Sequence, residues 1–222
     1  MAGDAFALPA LLALGALHGI NPAMGWLFAV ALGLQEQARR AVWRALLPLA
    51  AGHALAVAAA IAVGLALGRV LAPEDLRWGV AAALCGAGVF HLARHRHPRW
   101  GGMRVGMRDL AIWSFLMASA HGAGLMALPF VLGAAAGGGV HAARAAAGHA
   151  SHAAAVPALA GGPLLGLAAT AVHTAGYLAV TGIVAVVVYE KLGLRLLGRL
   201  WFNVDRVWAG ALIATALFTV VL

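Results

Sequence analysis

The chain has 222 residues, 64% hydrophobic and only 10% charged, with a mean hydropathy of +0.92, whereas an ordinary soluble domain carries roughly 25% charged residues. That balance excludes a soluble enzyme, a disordered regulator and a nucleic-acid binder, in spite of a formal charge of +8 and a pI of about 11.5. A single cysteine, Cys85, excludes an intramolecular disulfide, a CxxC redox pair and a thiolate zinc site.

A helix crosses a bilayer in about 20 mainly apolar residues, because unpaired peptide groups cannot face lipid. Six runs are candidates, at 5–34, 45–68, 78–93, 110–136, 164–189 and 201–222. The first has no basic leader and is too long for a cleavable signal peptide, so it counts as a span. The third, the shortest, runs into Arg94-His95-Arg96-His97-Pro98-Arg99, and the sixth carries Asp205 and Arg206 near its start. Long side chains at such places reach the interface. The expected fold class is all-α, a polytopic membrane protein with six transmembrane helices.

The basic residues set the expected orientation. Arg39, Arg40, Arg44, Arg94, Arg96, Arg99, Arg104, Arg108, Lys191, Arg195, Arg199 and Arg206 fall on one side, and Arg69, Arg77 and Arg144 on the other. By the positive-inside rule the richer side is cytoplasmic, which puts both termini outside in a bacterial inner membrane. The positive charge then reads as a topology signal and a contact for anionic membrane lipids.

The two halves echo each other in order. Leu17-His18-Gly19 is matched by Ala120-His121-Gly122. The run from Gly52-His53 is matched by the run from His173-Thr174 through Gly176-Tyr177, with the histidine displaced by about one turn. Asp75 and Trp78 have the same spacing as Asp205 and Trp208. The division is a first three-helix repeat at 1–95, a basic connector at 96–109 and a second repeat at 110–222. Because three is odd, the second copy enters from the opposite side, giving two inverted three-helix repeats, a transporter architecture whose site sits near the midplane. Interrupted helices in corresponding positions point to that site. Here Gly19, Asn21 and Pro22 interrupt the first span, and Gly122, Gly124 and Pro129 the fourth.

Four histidines, His18, His53, His121 and His173, fall inside apolar spans. Intramembrane ionisable residues are costly and are functional candidates. The competing reading is that each imidazole hydrogen-bonds a neighbouring helix. Thr170, His173 and Tyr177 share a helical stripe, as do Met117 with His121 and Ser114 with Met117. Such stripes also pack ordinary helix pairs. All seven acids lie at or beyond helix ends, so a hard ion lacks the carboxylates it wants, while imidazole and thioether suit a transition metal. Met24 and Met117 are candidate soft donors, though methionine is more often a gap-filler. The expected site is His18, Asn21, His53, His121, His173, Thr174 and Tyr177.

The segment His18-Gly19-Ile20-Asn21-Pro22-Ala23-Met24 resembles the histidine-acid-proline-histidine signature of NicO-type nickel/cobalt transporters, within the LysE-type transporter superfamily. The resemblance implies two inverted three-helix units and metal-cation translocation, with His18 as the first signature histidine. Asn21 stands where that family carries its acid, and Met24 where it carries its second histidine.

A low-complexity Ala/Gly stretch at 134–162 is expected outside and holds His141, His149 and His152. It reads either as accessory metal capture or as unremarkable surface. Two functional readings from different classes stand. The first is a secondary transporter of a small transition-metal cation such as nickel, cobalt or copper, in which neutral imidazole binds metal and imidazolium does not. The second is a b-type cytochrome with haem between paired histidines. A third possibility keeps the superfamily plan with an organic solute. No nucleophile–base pair points to an enzyme. A homo-oligomer or a partner subunit is compatible with each.

Overall fold

The computed structural model describes residues 2–93, 106–132, 155–192 and 204–221, and every regular element among them is helical. Helix α1, Ala2–Ile20, stops before Asn21-Pro22, since the residue preceding a proline is pushed out of the helical region. One 3₁₀ turn, Pro22–Met24, follows, with the Asn21 side-chain oxygen accepting from the Ala23 N–H at 3.0 Å. Gly25, at φ 122°, then opens α2, Trp26–Glu36. Gln37 and Ala38 connect it to α3, Arg39–Leu67. Helix α4, Pro73–Ala93, begins on proline with Glu74 and Asp75 in its first turn, where carboxylates favour the helix dipole.

Helices α5, Met107–Ala120, and α6, Ala123–Leu132, form a pair bent by 60°. The bend falls at His121-Gly122, and Gly122 sits at φ 70°, where a Cβ would be strained. Helix α7, Ala155–Val187, ends in a π turn, Val188–Leu192, and α8 is Val204–Val221.

Three sequence expectations need adjustment. Both interruptions exist, but Gly19, Gly124 and Pro129 lie within helices, and the breaks are Asn21–Gly25 and His121-Gly122. The third helix starts at Pro73 because the Pro-Glu-Asp start signal extends it beyond the apolar run. The stretch from 155 to 162 is helical, so that part of the expected external loop belongs to α7. The basic segment 94–105 and the loop histidines His141, His149 and His152 lie outside the described residues.

Helix pairing is selective. Helix α1 packs along α7, α3 along α5 and also α7, and α4 along α8, while α2 rests on α3 and α7. The α1–α7 contact is backbone to backbone: a Cβ on Gly15 would strike the His173 carbonyl, and one on Gly19 would meet the Tyr177 carbonyl at 2.6 Å. Gly15 and Gly19 are a GxxxG pair, the spacing that lets two membrane helices approach closely. Gly52 plays the same part between α3 and α5, against the Ala111 carbonyl.

Two helices, Arg39–Leu67 and Pro163–Lys191, are long and apolar enough to cross a membrane, and the bent α5–α6 pair makes a third if taken as one span. Leu47, Leu55, Val63, Leu164, Leu167, Ile183 and Leu217 stand exposed on the helices. An outward apolar surface of that extent suits lipid. Two ion pairs close one end: Arg44 reaches Glu36 at 3.3 Å, and Arg39 reaches Glu190 of the π turn at 3.1 Å.

Candidate functional site

The close α1–α7 contact puts His18 beside His173, and α3 brings His53 to both. Ring centroids are 4.9 Å apart for His18–His173, 5.5 Å for His18–His53 and 5.4 Å for His53–His173. The first two pairs are edge-on and the third is stacked at 7°. Tyr177 lies flat against His53, its ring 4.0 Å away and inclined by 6°. All four side chains are fully buried. His121, also buried, lies at the α5–α6 bend and interacts electrostatically with His18.

His18 and His121 are oriented alike. Each donates its Nδ1–H to the carbonyl one turn back, His18 to Leu14 at 2.7 Å and His121 to Met117 at 2.9 Å. That bond places a proton on Nδ1 of each ring. His53 differs: neither of its ring nitrogens has a hydrogen-bond partner. His173 lies near the Leu11 carbonyl without a hydrogen bond of good geometry. The Asn21 amide nitrogen and the Thr174 and Thr181 hydroxyls are likewise buried without partners. Buried polar groups are normally satisfied, so such a concentration in one place calls for an explanation.

Four more of the candidate residues have apolar or hydrogen-bonded neighbours. Met24, fully buried, sits in an apolar cluster with Leu76, Met126 and Leu212, and Met117 packs against it. The Thr170 hydroxyl donates to the Gly166 carbonyl at 2.8 Å within its own helix. Ser114 donates to the Leu49 carbonyl of α3 at 2.7 Å. Ser114→Ala removes this bond between helices while the Leu49 carbonyl keeps its own helical donor, so the protein in detergent should lose about 0.5–1.5 kcal/mol of stability, read as a lower thermal midpoint. An unchanged midpoint would remove any structural role for that bond.

The irregular turn between α1 and α2 is held by aromatic donors, which sequence reasoning overlooked. Trp26 Nε1 donates to the Ile20 carbonyl at 3.0 Å, Trp113 Nε1 from α5 to the Ala23 carbonyl at 2.9 Å, and the Tyr177 hydroxyl to the Met24 carbonyl at 2.7 Å. Buried non-helical backbone persists where protein groups satisfy its carbonyls in this way.

Beside the cluster, α4 has turned from α3 to α8, and a cavity of about 590 Å³ opens between α3, α4 and α6. Its wall runs from Asp75 to Ala56, one turn beyond His53, and to Gly122, next to His121. Among the described residues, no group of three His, Cys, Asp or Glu side chains is disposed to hold a metal ion with the rings as they stand. The chain matches no family model, and no curated protein and no solved structure shows a match to it.

Proposed function

We propose that this chain is an integral membrane secondary transporter of a small transition-metal cation, bound at His18, His53, His121 and His173 with Asn21, Thr174 and Tyr177 alongside. The observation that carries the proposal is the shared orientation of His18 and His121, each donating Nδ1–H to an i−4 carbonyl at a helix break. Metal-ligating histidines are held in that manner, one nitrogen anchored to a carbonyl and the other presented to the ion. The unbonded nitrogens of His53 and His173 supply further imidazole donors once their stacked rings turn apart.

The packing supports six spans in two inverted repeats. Exchanging α1–α2 with α5–α6, α3 with α7 and α4 with α8 turns the α1–α7 contact into the α3–α5 contact, and leaves the α4–α8 and α3–α7 contacts unchanged. The first span of each half breaks just after a histidine. In this reading the Arg39 end is cytoplasmic, both termini are outside in a bacterial inner membrane, and the halves rock about the histidine cluster. The likeness of 18–24 to the NicO signature is in keeping with it and leaves the choice among nickel, cobalt and copper to measurement.

The haem reading is less well supported. Iron needs one nitrogen pointed at it from each side, whereas His53 and His173 present their flat faces to each other. An organic solute of the same superfamily plan has the unpartnered Asn21 amide and Thr174 hydroxyl in its favour.

The test is cellular uptake of, or resistance to, nickel, cobalt and copper in His18→Ala and His121→Ala. Removing a ligand should lower metal-dependent transport by at least about tenfold, and unaltered transport in both variants would count decisively against a metal cargo. Calorimetric metal titration and an absorption spectrum of the purified protein separate metal, haem and organic solute.

A further inference from the structure

We infer that Tyr177 is a latch joining the histidine cluster to the turn between α1 and α2, so that movement of His53 releases that turn. This rests on reading the cluster as the cation site. One side chain makes both contacts: the phenol ring lies on His53 at 4.0 Å, and its hydroxyl donates to the Met24 carbonyl at 2.7 Å. The two ends of that hydrogen bond are 153 residues apart in sequence.

The latch has two positions. The hydroxyls of Ser114 and Thr181 lie beside the phenol. Ser114 already donates to Leu49, but Thr181 Oγ1 is buried without a partner and is an alternative acceptor for the Tyr177 O–H. Imidazole lone pairs lie in the ring plane, so the parallel rings of His53 and His173 cannot bring nitrogens to one shared cation until one of them turns, and His53 is also stacked on Tyr177. Turning the ring removes the face on which the phenol rests. The phenol then shifts toward Thr181, and the Met24 carbonyl loses its donor. Trp113 still holds Ala23, and Gly25 at φ 122° supplies the hinge about which α2 moves. A switching device needs two discrete arrangements that a ligand biases unequally. Met24 and Thr181 provide them.

Amide hydrogen exchange at Ala23, Met24 and Gly25 reads the turn directly, since their N–H groups bond to Asn21 Oδ1, Asn21 O and Pro22 O. In the full chain in detergent, Tyr177→Phe keeps the ring and removes the hydroxyl, and should speed exchange there by roughly five- to a hundredfold. Thr170→Val, which removes a hydroxyl of the same helix bonded to Gly166, should leave it unchanged. His53→Ala, without any metal, should speed it as well. Nickel chloride should accelerate exchange in the parent, have no further effect in Tyr177→Phe, and act less in Thr181→Val, which lacks the second acceptor and guards against a poorly folded Tyr177 variant. Equal exchange in the parent and Tyr177→Phe would overturn the latch, as would a His53→Ala turn no faster than the parent's. Acceleration in both variants without any response of the parent to nickel would uphold the latch and remove the cation reading instead.

Discussion

Gly176→Ala and Gly79→Ala are the same chemical change, and they are expected to have opposite outcomes. A Cβ on Gly176 would run into the Leu12 carbonyl and stand 3.1 Å from the Ala16 nitrogen, both backbone atoms that cannot swing aside. Helix α1 would have to move off α7, and with it His18 off His173. Overpacking of this kind costs on the order of 3 kcal/mol, a large part of a typical stability margin. Gly79 in α4 has nothing within 4 Å of a built Cβ, so alanine there should gain about 0.5–1 kcal/mol through helix propensity alone. Thermal midpoints by size-exclusion profile in detergent check both. Equal midpoints would mean that the helices do not meet backbone to backbone.

His53→Leu should separate stability from function. If His53 were a structural residue satisfied by a neighbour, removing the imidazole would orphan that neighbour and destabilise the bundle. Instead both ring nitrogens lack partners. An apolar side chain of similar size relieves the burial of an unsatisfied polar group, a cost of about 1–3 kcal/mol. The expected variant is therefore at least as thermostable as the parent, while its affinity for nickel or cobalt by calorimetry falls at least about tenfold. A site residue that weakens its own scaffold is the usual trade between stability and activity. A lower melting point with unchanged metal affinity would reverse the assignment and make His53 a packing residue.

The helical class and the approximate element positions were legible because hydrocarbon demands long apolar runs, and these survive in the sequence as plainly as a composition. The four histidines were legible for the same reason, as expensive letters in cheap surroundings. Their company was less so. Met117 and His121 share the stripe that their spacing gives, and the imidazole bonds the Met117 carbonyl, a partner that side-chain spacing does not reveal. Pro129 carried a strong break signal yet sits buried inside α6, because a proline in a membrane helix is tolerated where neighbours make up for the lost bond. The Gly15–Gly19 spacing was present in the sequence as a contact signal and went unread. No local pattern could have shown that Tyr177 reaches Met24, since that bond depends on how α1 lies against α7.

The Arg39–Glu190 pair has a bearing on the bilayer itself. Its side chains are 58% and 37% exposed, so it contributes about 1 kcal/mol or less and weakens with salt. A phosphate-bearing headgroup arriving at Arg39 competes with Glu190 for the same guanidinium. If this end lies at the headgroups, as the proposed topology has it, the clasp between the start of α3 and the end of α7 is a contest with the surrounding leaflet, and the abundance of anionic lipid becomes a variable in how firmly that rim stays shut.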